Sequence, residues 1–145
     1  MKKAHHLVLS AAISAPFLFG AEPVRAQTAD LLSDPAVRLL VEEVLIADLM
    51  LRSCEGLIAS EEGRAQVQMI ADDLARRAGY TPESAAARLA EPSVRAEVEA
   101  GARRRLSMMG ARPEDPEAVC AVASRLPGRD GVLGALLSFP SPGTQ

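Results

Sequence analysis

Two cysteines, Cys54 and Cys120, carry the most specific chemistry in the chain. No C-x-x-C redox pair is present, and 65 residues lie between the two. In an oxidising compartment, two such cysteines with none left over read as a disulfide. In a reducing compartment they would be free thiols. Three adjacent carboxylate pairs, Glu42 with Glu43, Glu61 with Glu62 and Asp72 with Asp73, are the next candidates. Neighbours on a helix point about 100° apart, so none of these pairs makes a metal or acid–base site by itself. Arg103, Arg104 and Arg105 form the densest basic run. They read either as a site for a phosphate, an anionic lipid or an acidic partner, or as a solvated face paired with Glu99. The negative overall charge favours the second reading. The only two histidines, His5 and His6, stand at the extreme N-terminus.

The compartment decides what these groups can do. Lys2 and Lys3 precede an apolar stretch from Leu7 to Gly20, and Val24 and Ala26 place small residues around Arg25 before Gln27. This is the pattern of a secretory signal peptide over residues 1–26, cleaved after Ala26. The apolar run, interrupted by Pro16, falls short of the roughly 20 residues that a membrane span needs. The expected organisation is therefore a signal peptide at 1–26, a helical domain at 27–137 and a flexible tail at 138–145.

Removing the signal strips the chain of both histidines and both lysines, and leaves Tyr80 and Phe139 as its only aromatics. The net charge of −3 becomes more negative, because Lys2, Lys3 and Arg25 leave against Glu22 alone. An acidic surface with almost no stacking platforms argues against nucleic-acid binding. A serine nucleophile would have no histidine or lysine base, and no G-x-S-x-G elbow is present. The pair Gly131 and Gly134 is too short a pattern for a phosphate loop. An enzyme working on carboxylates alone would have Tyr80 as its one sugar platform. Tyr80 itself reads as a packing residue at a helix corner. The expectation is a non-enzyme with no cofactor, no metal, no nucleic-acid partner and no stable membrane insertion after cleavage.

The elements that must position the cysteines are all helical. Residues 27–33 read as a short leader. Asp34-Pro35, Thr81-Pro82 and Asp115-Pro116 each offer a capping side chain followed by a proline in the first turn. Apolar residues at helical spacing mark helices from about Asp34, from Arg64 to Ala78, from Pro82, from Ser93 to Met109 and from Asp115 to a break at Pro127. Val132 to Phe139 is a last apolar segment. The first helix is apolar on nearly every side, which places it at the centre. No stretch alternates with period two, so no strand is expected. The predicted class is an all-α bundle of about five helices, with one disulfide from the end of the first helix to the fifth. Such a bond would stabilise the fold by roughly 4 kcal/mol.

The order of these pieces resembles a family of small secreted helical proteins of alphaproteobacteria, the domain of unknown function numbered five-three-three-three. The resemblance is carried by Ile46-Ala47-Asp48, Cys54 and Ile58, by Arg64 to Tyr80 with its closing Arg77-Ala78-Gly79-Tyr80, and by Pro92 to Leu106. Gly110, Pro116 to Cys120 and Gly131 to Leu137 complete it. The departures are the tail from Ser138 and the early break at Pro127. The resemblance implies a periplasmic helical protein with this disulfide, and no activity. Three functional classes then compete. The first is a periplasmic protein acting by macromolecular interaction, one version being an acid-stress chaperone of HdeA-like architecture. The second is a binder of a small hydrophobic ligand or lipid, and the third is a carboxylate enzyme.

Overall fold

The computed structural model describes residues 30–140. The signal peptide expected over 1–26 and the end of the expected tail, 141–145, lie outside the described residues. Six α-helices follow a 3-10 turn at Leu31–Ser33: α1 at Pro35–Ser53, α2 at Glu61–Arg77, α3 at Pro82–Ala90, α4 at Pro92–Met108, α5 at Pro116–Ala123 and α6 at Val132–Leu136. The protein is all-α apart from one small clip, in which β1 (Ile58–Ala59) pairs antiparallel with β2 (Leu137–Ser138).

The helix starts follow the sequence signals closely. The side chains of Asp34 and Asp115 accept from the amides of Ala36 and Ala118 at 2.8 and 3.0 Å, each with proline in the first turn. Thr81 and Ser84 form a reciprocal capping box on α3. The stops are equally local. Gly79 has a φ of +81°, and the amides of Gly79 and Tyr80 close back onto Arg76 and Ala75 at 3.0 and 2.9 Å. This is a Schellman ending, for which a residue without Cβ is best suited.

α1 packs against the 3-10 turn and against α2, α4, α5 and α6, which is the central position its apolar surface required. Val37, Leu40, Ile46, Ala47 and Met50 are buried, whereas Leu39 and Val44 remain partly open to solvent. α4 runs beside α1 in the same direction, since Arg38 reaches Glu97 at 2.6 Å and Glu42 reaches Arg105 at 3.2 Å. α4 turns Val94, Val98, Ala102 and Leu106 inward. On α2 the buried stripe is Val67, Leu74 and Ala75, whereas Ile70 is exposed.

Two segments differ from expectation. The leader read over 27–33 ends in core: Leu31 and Leu32 are each 1% exposed, and the side chain of Arg38 donates to the Leu32 carbonyl at 3.0 Å. Three residues are too few for apolar periodicity to register, so composition alone concealed this plug. Similarly, Ser138 was expected to begin a tail, yet it pairs with Ile58, and the Ser60 amide donates to the Leu136 carbonyl at 2.9 Å. A two-residue ladder is too short to show alternation.

Candidate functional site

Cys54 caps the C-terminus of α1, and Cys120 lies in the middle of α5. They form a disulfide with the two Cα atoms 5.3 Å apart, well inside the range an unforced bridge requires. Cys54 is almost fully buried, and the bond fastens the central helix to the one that crosses its end.

The expected Arg cluster does not act as a unit. Arg103 faces Glu99 at 3.9 Å, while Arg104 is exposed and takes part in no ion pair among the described residues. Arg105 turns inward and donates from Nε to the Glu42 carboxylate at 3.2 Å. Glu42 is the one buried charged residue among those described, at 5% exposure. Its space comes from Gly101: a Cβ there would lie 2.0 Å from Glu42 Oε1. Of the three carboxylate pairs, Glu61 and Glu62 are exposed at the start of α2. Asp73 is held below the ordinary carboxylate range by its hydrogen bond from Arg77, and Asp72 accepts from Gln68 at 2.8 Å. Only the pair Glu42 and Glu43 meets a charge from another helix, because Arg105 of α4 bonds to Glu42. Burial holds the half-buried Glu43 carboxyl above its ordinary value of 4.5; Arg105 pulls it back, and the Glu42 charge raises it again. Sequence reasoning missed this cluster because the partner stands 63 residues away. The available signal was a glycine inside an otherwise strongly helical α4.

Gly101→Ala reports on this geometry. Gly to Ala inside a helix ordinarily stabilises by about 1 kcal/mol. Here we expect a net loss of about 1–2 kcal/mol in chemical denaturation, because the new methyl displaces a buried carboxylate from its partner. A gain in stability would mean that Glu42 moves aside freely.

Beside this cluster, along the same helix pair, runs an open groove of about 250 Å³. Its floor is Leu45, Ile46 and Leu49 from α1 with Ala102 and Leu106 from α4, and Pro113 closes one end. Arg52, Arg103 and Glu99 stand on its rim, with Arg52 also bonded to Asp48. A second, smaller groove of about 180 Å³ lies among α1, α2 and α3, floored largely by Val37, Leu40, Leu74 and several alanines. No group of three or more histidine, cysteine or acidic side chains among the described residues is arranged to hold a metal ion.

No family model, no curated protein and no solved structure matches this chain. Tyr80 is half-buried against the core at the end of α2, and it also borders a shallow depression formed with Asp30, Ser84, Ala87, Arg88 and Glu91. Arg88 in that depression is already bonded to Glu91 and lies 3.5 Å from Asp30, so its charge is locally balanced. The segment from Gly131 to Gly134 serves packing: a Cβ on Gly134 would fall 2.0 Å from the Arg129 carbonyl oxygen. The α1–α4 groove combines an apolar lining with the charged side chains of Arg52, Arg103 and Glu99. No helix among the described residues is long and apolar enough to cross a membrane.

Proposed function

We propose that this is an exported periplasmic protein, not an enzyme, that acts by binding another macromolecule through the α1–α4 groove. The groove itself carries the reading. Its volume suits one or two aliphatic side chains from a partner helix, and Arg52 and Arg103 offer contacts for an acidic residue beside them. The existing rim pairs are exposed, and such pairs are worth at most about 1 kcal/mol, so a partner carboxylate can exchange with them at small cost. Export is supported by the covalent Cys54–Cys120 link, which persists in oxidising compartments and is rare in the cytosol. The same expectation covers the absence of a cofactor and of a nucleic-acid partner.

The test is site-specific photo-crosslinking in the producing cell. A photoreactive side chain at Leu49 is expected to give a discrete protein adduct in the periplasm. The same group at the exposed Met69 on α2 should give none. The recovered protein should begin at Gln27. Adducts of equal yield from both positions, or none from Leu49, would remove the docking reading. A small hydrophobe retained in native mass spectrometry would favour the ligand-binding alternative instead. The acid-chaperone alternative needs the fold to loosen as pH falls. Asp73 contributes in that direction, and Glu43 contributes in the opposite one.

A further inference from the structure

We infer that the depression between the ends of α4 and α5 is a docking site for an anionic phospholipid headgroup, by which the protein seats on a membrane surface. The depression holds about 280 Å³ and is lined by Met109, Val122, Arg125, Leu126 and Arg129. Two guanidiniums thus share a rim over an apolar floor, with no carboxylate in the lining. Neither arginine takes part in an ion pair among the described residues, and Asp130, next to Arg129 in the chain, makes none with it. The depression beside Tyr80 differs, because its Arg88 is bonded to Glu91. Arg125 donates from Nε to the Ala121 carbonyl at 3.0 Å. That bond lays the side chain back over the last turn of α5 and leaves its two terminal amino groups without a partner among the described residues. The frame beneath is fixed. The Arg129 amide donates to the Leu126 carbonyl at 2.9 Å, and Gly134 of α6 lies close against the Arg129 carbonyl oxygen. The Cys54–Cys120 bond ties α5 to α1.

The chemistry of the site selects its ligand. A guanidinium is planar and weakly hydrated, and it matches two oxygens of a phosphate at once. A headgroup phosphate between Arg125 and Arg129 sets the glycerol and the first methylenes against Met109 and Leu126. The adjoining surface is apolar as well. Met108, at 78% exposure, is the most exposed large hydrophobic among the described residues, and it directly precedes Met109 in the chain. Arg104, one turn earlier on α4, is exposed and has no ion pair among the described residues. An acyl boundary takes up an unbranched thioether side chain, whereas an acidic peptide held at the arginines leaves it in water. The chain's net charge of −3 does not oppose the contact. Charges more than about 8 Å apart are largely screened at physiological salt. Each arginine beside an anionic surface strengthens attachment about fivefold. The α1–α4 groove takes no part, so this inference stands or falls apart from the docking reading.

Vesicle flotation of the oxidised protein, as recovered from the producing cell, tests the inference. Vesicles of phosphatidylcholine with about one quarter phosphatidylglycerol should carry the protein, and vesicles of phosphatidylcholine alone should not. Arg129→Gln should weaken binding about fivefold, and the Arg125→Gln, Arg129→Gln pair about 25-fold. Met108→Gln should weaken it about tenfold through lost apolar contact. The Arg76→Gln, Arg77→Gln pair removes the same charge from α2, where both arginines face Asp73, and should float like wild type. The Arg129 side chain bonds to nothing among the described residues, so Arg129→Gln keeps the fold even if the double variant does not. Equal flotation with neutral vesicles, or undiminished flotation of Arg129→Gln, overturns the inference. Release by millimolar inorganic phosphate at constant ionic strength would assign the site to a free anion and overturn it too. So would retention on immobilised polyglutamate without flotation, which would give the site to an acidic protein.

Discussion

Reduction of the Cys54–Cys120 bond is expected to lower stability by about 4 kcal/mol, the largest effect of any single chemical change to this protein. The loop it closes spans a sequence separation of 66, so the unfolded chain regains a large amount of freedom when the bond opens. The native state also loses the tie between the end of α1 and α5, and α5 has only eight residues. An isolated helix of that length does not hold together in water, so α5 depends on what it is attached to. For a domain of this size, the loss corresponds to a fall of about 15 °C in the melting temperature. Thermal denaturation with and without reductant measures it, with the Cys54→Ser, Cys120→Ser double variant as the control that excludes mispaired thiols. A shift of only a few degrees would show that packing alone holds α5 against α1.

The second large effect is expected at Gly63. This residue is buried in the first turn of α2, where α6 passes directly over it. A Cβ would fall 1.8 Å from the Ala135 carbonyl oxygen and 2.5 Å from the carbonyl carbon. Both obstacles are backbone, and that backbone is fixed on its far side by the Ser60 to Leu136 hydrogen bond and by the clip between Ala59 and Leu137. Gly63→Ala should therefore separate α2 from α6 and cost about 3 kcal/mol, at the upper end of overpacking effects. Urea denaturation of the oxidised protein is the measurement. Ala135→Gly should give no rescue, because the collision is with the carbonyl and not with the side chain. An ordinary helix-interior gain from Gly63→Ala would refute the close approach.

The contrast between these two sites shows what a single sequence makes legible. The disulfide could be read from a cysteine pair with none left over, given the oxidising compartment expected from the sequence. The helix starts could be read from Asp34, Thr81 and Asp115, because caps are local and each is written within three residues. Gly63 was not legible, since the reason for it stands 72 positions later in Ala135. The Glu42–Arg105 pair is of the same kind. Arg105 belonged on sequence grounds to a solvated basic run, and only the course of α4 along α1 turns it inward. Likewise, Arg88 on α3 bonds to Glu91 where α3 and α4 meet. What escaped was non-local contact, and elements too short to display a period: the Leu31–Leu32 plug and the two-residue clip.

That plug limits how the chain can be processed. Leu31 and Leu32 rank among the largest fully enclosed side chains of the molecule, and they sit only a few positions beyond the junction proposed at Ala26. A peptidase that cut a little late would remove a cork and open the interior beside Val37 and Leu40.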